Sequence, residues 1–282
     1  MQGKRVLITG ATNGIGLAAA RMLAAQGARV AIVGRSATRT EYAARSIGAA
    51  AGDAMPVDTF LADLALQASV RRLAAEVRER YARLDVLINN AGAMYATRQV
   101  TAEGIEFTWA LNHLAPFLLT GLLLERLKAS APARIVTTAS DAHQGCHIPF
   151  DDLGADRSYG AFRRYGESKL ANILFTRELA RRLEGSGVTA NCLHPGLVAT
   201  GFNHNNGLIR SLAMTVLGVL SRSPERGAET LVWLAASPGV ANVSGGYFFD
   251  LRQKAPSAAA QDGEASRRLW QISEKQCGIS GT

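Results

Sequence analysis

Short apolar runs alternate with longer segments of helical period along most of the chain. Lys4–Thr9 reads as a strand and Gly14–Gln26 as a helix, with Ile15, Ala18, Ala19, Met22 and Leu23 recurring on one face. Arg29–Gly34 is a second strand, Thr38–Gly48 an Ala- and Arg-rich helix, and Met55–Leu61 a third strand. A helix from Leu66 to Tyr81 alternates arginine and glutamate on its exposed face. Leu84–Asn89 is the fourth strand, Arg134–Ala139 the fifth after a long helical region, Val188–His194 the sixth and Gly246–Phe249 the seventh, with Tyr165–Glu184 helical. The strands are apolar throughout rather than alternating, as strands buried on both faces are. Repeated β-α units of this length predict one α/β domain: a doubly wound parallel sheet of about seven strands with helices on both faces. That domain is expected over 1–254. Residues 255–282 read as a C-terminal tail, loosely tied through Ser257-Ala258-Ala259-Ala260 until Trp270.

Composition narrows the function classes. At 48% hydrophobic over 282 residues the chain can bury a substantial core, which excludes wholesale disorder. Lys and Arg total 31 against 23 Asp and Glu, a formal charge of +8. Such a balance suits nucleic acid, an anionic membrane or a small anionic ligand. The arginines are scattered over helix faces (Arg71-Arg72, Arg181-Arg182) without interleaved aromatics, so no nucleic-acid partner is expected. Cys146, Cys192 and Cys277 are far apart and odd in number, which supports neither a disulfide framework nor a thiolate zinc site. The run His143 to His147 has no familiar ligand spacing, and no metal is expected. No apolar stretch of ~18 residues and no signal-peptide core is read, so the expectation is a cytoplasmic protein without a transmembrane segment. Leu208–Leu220 is too short to span a bilayer, but could lie on one or cover a greasy pocket.

Candidate chemistry begins where the first strand runs into Thr9-Gly10-Ala11-Thr12-Asn13-Gly14-Ile15-Gly16 and a helix opens. Glycines let the backbone turn tightly and approach a pyrophosphate, and the helix N-terminus favours the anion. The G-x-x-x-G-x-G spacing differs from G-x-G-x-x-G, but its position at the first β-α turn points to a Rossmann-type dinucleotide site. The second strand ends at Val33-Gly34-Arg35-Ser36, with no acid to accept a ribose hydroxyl. Arg35 there suits a 2′-phosphate, so NADP(H) is favoured over NAD(H).

These residues resemble the short-chain dehydrogenase/reductase family, and further pieces follow in family order over roughly residues 3–250. Asp63-Leu64 is similar to the adenine-contacting motif, Asn89-Asn90-Ala91-Gly92 to N-N-A-G, and Asn112 lies in Leu111-Asn112-His113. Ser140 ends the fifth strand, Tyr165-Gly166-Glu167-Ser168-Lys169 is Y-x-x-x-K, and Pro195-Gly196-Leu197-Val198-Ala199-Thr200 is P-G-x-x-x-T. Within the family, Tyr165 to Val188, with His194-Pro195-Gly196 following, resembles the retinol-dehydrogenase and WW-domain-oxidoreductase branch. The resemblance implies cofactor contacts from Gly10, Thr12, Asn13, Gly14, Ile15, Gly16, Arg35, Asp63, Leu64, Asn90, Ala91, Gly92, Tyr165, Lys169, Pro195, Gly196, Val198 and Thr200. It implies catalytic roles for Asn112, Ser140, Tyr165 and Lys169, and a homodimer or homotetramer pairing through the helices that contain Asn112 and Tyr165.

The residue types make chemical sense. A carbonyl that accepts hydride must also gain a proton, and a phenol is a poor acid–base at neutral pH unless its phenolate is stabilised. Lys169, four residues on, lies on the same helical face as Tyr165, where an ammonium would lower the phenol pKa. Ser140 can orient the substrate oxygen. Asn112, by resemblance, holds a relay water. Ala139 stands where a second serine is frequent in the family, and the interval from Ser140 to Tyr165 is longer than in compact members. The apolar segment after Thr200 reads as a substrate lid, 201–222, and points to a lipophilic carbonyl or alcohol as the small-molecule substrate, although it fits a core-facing helix almost as well. An enoyl (C=C) reductase of the same fold and a non-catalytic dinucleotide sensor are the alternatives.

Overall fold

The computed structural model describes residues 1–52, 56–198 and 222–280. Eight strands form one sheet: β1 (Arg5–Thr9), β2 (Arg29–Gly34), β3 (Asp58–Leu61), β4 (Val86–Asn89), β5 (Ala133–Thr138), β6 (Val188–Leu193), β7 (Tyr247–Phe249) and β8 (Arg252–Gln253). Their order is β3-β2-β1-β4-β5-β6-β7-β8, parallel throughout except for β8. The sequence shows seven of these. The eighth is a two-residue edge strand that folds back on β7 through Asp250 and Leu251, both in the left-handed region; a pair so short carries no hydropathy signal. The third strand is shorter than expected, beginning at Asp58.

Helices cover both faces, and consecutive strand residues divide between them. Val6, Ile8, Val30, Ile32, Ile88 and Val136 join one core with α1 (Gly14–Ala25), α2 (Ala37–Ala50) and α6 (Pro224–Ala236). Leu7, Ala31, Val33, Leu87, Ile135 and Ala190 join the other with α3 (Gln67–Arg80), α4 (Phe107–Ala129), α5 (Ala161–Arg182) and α7 (Gly263–Cys277). Side-chain caps set the starts: Ser36 accepts from Arg39 N–H, Ser223 from Arg226 N–H, and Asp262 from the N–H groups of Glu264 and Ala265.

Two expectations change. The helix α4 is long and apolar enough to cross a membrane by length and composition, with a mean hydropathy of 1.4, where no such stretch was expected. In the fold 83% of that window is buried inside the protein, as befits a core helix. The segment from Ala255 is also held more firmly than its small residues suggest. Ser257–Gln261 turns into α7, whose Leu269, Trp270 and Cys277 are buried in the core. Trp270 packs edge-on to Phe117 of α4 and stacks on Phe175 of α5, while His113 bonds Ser273 at 2.8 Å. The side of α4 and α5 that carries these residues is therefore covered by α7.

Candidate active site

The order reverses between β1 and β4, and ligands of doubly wound sheets bind at that switch point, beyond the carboxyl ends of the strands. The loops after β1, β2, β4, β5 and β6 bring the sequence-predicted residues to this edge. Gly10 takes a positive φ of 67° and lies so close to β4 that a Cβ there would stand 2.8 Å from Ala91 Cα. A Cβ on Gly16 would stand 2.6 Å from Asn90 Nδ2. Asn13 caps α1 in extended conformation without a side-chain bond, and no acid occupies the first turn. The first N–H groups of α1 are thus left uncapped by Asn13, in a cradle-like turn that only glycine's size lets pack on the loop after β4.

Thr9 organises the seam behind that cradle. Its Oγ1 donates to the Ile88 carbonyl and accepts the N–H groups of Asn90 and Ala91 at 3.0 and 3.1 Å. The Asn90 amide returns to the carbonyls of Thr9 and Gly10, each at 3.2 Å. Arg35 is exposed at the end of β2 and, with Asp63, lies near the phenol of Tyr95. Asp63 accepts Ala65 N–H, and Leu64 is buried beside it. Gly196 has φ +82°, and Val198 pairs with Arg222. A Cβ on Gly227 of α6 would meet both Val198 and Ile15, so α6 ties the loop after β6 to the first turn of α1. Thr12 is half-buried beside Gly34. Thr200 and the lid residues 201–221 lie outside the described residues.

Asn112 sits in a π-helical turn, Ala110–Leu114, within α4. That wider turn re-aims its side chain, as inserted turns do at functional sites. The fully buried amide accepts Ala93 N–H and donates to Ala93 O, both at 2.9 Å, and also reaches Ser168 Oγ at 3.0 Å. Asn112 thus grips the loop that follows N-N-A-G. A Cβ on Gly92 would stand 3.2 Å from both Asn112 Oδ1 and Lys169 Nζ.

Ser140 and Tyr165 share a side-chain hydrogen bond. The Ser140 Oγ also accepts Ala142 N–H at 3.2 Å. Lys169 is buried, its Nζ 2.9 Å from the Thr138 carbonyl and 5.6 Å from the Tyr165 ring centre. The expected lowering of the phenol pKa is not what the chain alone produces. Burial pushes Tyr165 up to about 12, opposed only by the Ser140 bond, and burial pulls Lys169 down to about 8. Lys169 aims at a backbone carbonyl, and desolvation weighs on both charged forms.

The structure brings Asn112, Ser140, Tyr165 and Lys169 to one edge with the cradle. Four supporting residues were not singled out: Thr9, Thr138, and the buried pair Glu106 and Arg164, whose Nε lies 2.7 Å from Glu106 Oε2. Thr9 was visible as the residue before Gly10; Arg164 precedes Tyr165 but reads as one more helical arginine.

A family model described as short chain dehydrogenase matches residues 4–208. Human retinol dehydrogenase 13 is 44% identical over 285 residues, covering 98% of this chain and 85% of that protein. Mouse retinol dehydrogenase 14 is 45% identical, covering 99% and 87%. A solved short-chain dehydrogenase from Burkholderia cenocepacia J2315, in complex with NADP, superposes with a TM-score of 0.70 at 28% identity, covering 93% of this chain and 99% of that one.

Proposed function

The chain belongs to the short-chain dehydrogenase family, and on that premise we propose that it transfers hydride between NADP(H) and a lipophilic carbonyl or alcohol, with Tyr165 as the acid–base. The observation that carries this reading is the hydroxyl pair of Tyr165 and Ser140 at the edge of the glycine cradle, with the Lys169 ammonium behind it. The cradle fits a dinucleotide because Gly10 and Gly16, where a side chain would collide with the turn itself and the loop after β4, let the turn close tightly at a helix start that Asn13 leaves uncapped. Gly14, Ile15 and Gly16 would hold the pyrophosphate on the first turn of α1. Arg35 would meet a 2′-phosphate, Asp63 and Leu64 the adenine, Asn90 to Gly92 the adjoining ribose, and Pro195, Gly196 and Val198 the nicotinamide side. The bound dinucleotide supplies the hydride.

The protein's own part is proton transfer and orientation. Ser140 Oγ accepts Ala142 N–H, and its one proton can turn either to the Tyr165 oxygen, where it favours the phenolate, or to a substrate oxygen. Tyr165, held neutral by burial, is ready to donate as charge develops on that oxygen. Lys169 places a cation behind the phenol, where it favours the phenolate left after donation. Asn112 locks the loop that follows Gly92 and so fixes one wall of the site. A lipophilic substrate is supported by the apolar sequence of 208–220 and by relatives named as retinol dehydrogenases.

The test is turnover of NADPH with a panel of lipophilic aldehydes and ketones. Tyr165→Phe should abolish reduction while dinucleotide binding stays near wild type. Equal rates in the two proteins would show that Tyr165 is not the acid.

A further inference from the structure

Immediately after Ser140 the chain makes one 3-10 turn, Asp141–His143, and His143 is fully buried beneath it. Both ring nitrogens are engaged by backbone. Nδ1 lies 2.7 Å from the Ser140 carbonyl, which can only accept. Nε2 lies 3.1 Å from the Ser257 N–H, which can only donate. The two contacts together leave one protonation state: a neutral imidazole with its proton on Nδ1. The ring stands edge-on to Tyr247 at 5.2 Å, so its plane is fixed as well. His194, stacked on Tyr247, has the opposite tautomer, since its Nδ1 accepts Gly196 N–H.

The Ser140 carbonyl is the pivot. It also receives the main-chain N–H of His143, at a longer 3.3 Å. The imidazole bond is the shorter of the two and sets the plane of the peptide after Ser140. The next peptide, joined to that plane at Asp141 Cα, carries Ala142 N–H, the donor to Ser140 Oγ. A rotation there would turn the serine hydroxyl away from Tyr165.

We infer that His143 is a positioning residue: it holds the Ser140 peptide, and through it the Ser140–Tyr165 hydroxyl pair, by a Nδ1–H bond anchored from behind by the Ser257 backbone. This rests on the proposed Ser140–Tyr165 chemistry, because a positioned serine matters only if that hydroxyl acts. The bond is transverse to the sequence. A residue of the C-terminal segment supports the catalytic loop after β5, more than a hundred positions away.

Three substitutions separate the role from mere space-filling. Asn places an amide N–H where Nδ1 stands and can still reach the Ser140 carbonyl. Gln reaches instead toward the Nε2 position and Ser257. Phe keeps the ring volume and loses both bonds. His143→Phe should lower kcat roughly ten- to hundredfold, the cost of a misplaced group next to the chemistry. Its dinucleotide dissociation constant should stay that of wild type. His143→Asn should recover most of kcat, and His143→Gln should stay with His143→Phe.

Two further measurements keep outcomes distinct. Long-range proton–nitrogen spectra of the unmodified protein should show one histidine in the Nδ1–H form; a proton on Nε2 of His143 overturns the inference whether or not turnover is found. Tyr165→Phe run in parallel reports on the proposed reaction itself. If Tyr165→Phe is inactive while His143→Phe turns over like wild type, the positioning role fails and the reaction stands. If His143→Asn is no better than His143→Phe, the Nδ1–H bond is not what matters and the inference fails.

Discussion

Arg164 and Glu106 form an ion pair sealed from solvent, at 2.7 Å with side chains 1% and 0% exposed. Glu106 also accepts the N–H groups of Thr108 and Trp109, each at 2.9 Å, and so caps the start of α4. Arg164 reaches Glu167 and the Leu153 carbonyl and lies over the Trp109 ring at 4.7 Å. One residue before Tyr165 is thereby fixed to the beginning of the helix that carries Asn112.

Breaking that pair from one side leaves a buried charge. Arg164→Met is expected to cost ~3–5 kcal/mol. The double variant Arg164→Met/Glu106→Gln should recover part of the loss, since the sealed Glu106 carboxylate is then no longer left without its guanidinium. Urea unfolding of the wild type, both single variants and the double variant checks this. A double variant no more stable than Arg164→Met would contradict it.

Arg35 carries the proposed preference for the phosphorylated dinucleotide. It is exposed at the end of β2, near Asp63 and Tyr95. Arg35→Asp should shift the ratio of kcat/KM from NADP(H) toward NAD(H) by roughly tenfold or more, the scale of one charge-assisted contact. Unchanged relative KM values for the two dinucleotides would sink the assignment.

The direction of reaction should separate with pH. Reduction needs Tyr165 protonated, and burial pushes its pKa up to about 12. Reduction should therefore be flat from pH 6 to 8, as far as Tyr165 governs it. Oxidation needs the phenolate and should climb with pH across the same range. Initial rates in both directions, at saturating dinucleotide, read this out; an oxidation rate that falls as pH rises would contradict it.

Acid should unfold the protein through its buried histidines. Burial pulls His113 down to about 3 and His194 down to about 4, from an ordinary 6.5. Between pH 6.5 and 4 the unfolded chain binds protons that the folded one refuses, so stability falls as pH falls. Each unit of displacement is worth ~1.4 kcal/mol. Thermal midpoints should drop steadily over that window, and His113→Gln should flatten the drop. A midpoint constant from pH 6.5 to 4 would refute it.

The sheet and most of the site were legible because their signals are local. Apolar runs mark buried strands, and Gly10 and Gly16 mark a turn where a Cβ would collide with the loop after β4. Tyr165 and Lys169 need only helical spacing. What was not legible depends on contacts between distant segments. Arg164 is an ordinary helical arginine until Glu106 is folded against it, 58 positions away. The π-helical turn at Asn112 leaves no pattern in hydropathy, and neither does the bond from His143 to Ser257. The small residues 257–260 suggest slack, yet Ala260 is completely buried because small side chains let the turn approach α5 closely. The phenol pKa was not legible, because spacing places Lys169 beside Tyr165 but cannot reveal how deeply both are desolvated.

The last helix changes what shortening this protein would mean. A chain stopped at residue 254 would keep every residue assigned to the dinucleotide and to the proton. It would also strip the cover from Phe117 and Phe175, take away the partner of His113, and remove the backbone donor behind His143. The greasy strip left along α4 and α5 would then be free to meet a second molecule. In this fold α7 is a covalently attached cover: it seals an aromatic face that the residues before it leave bare.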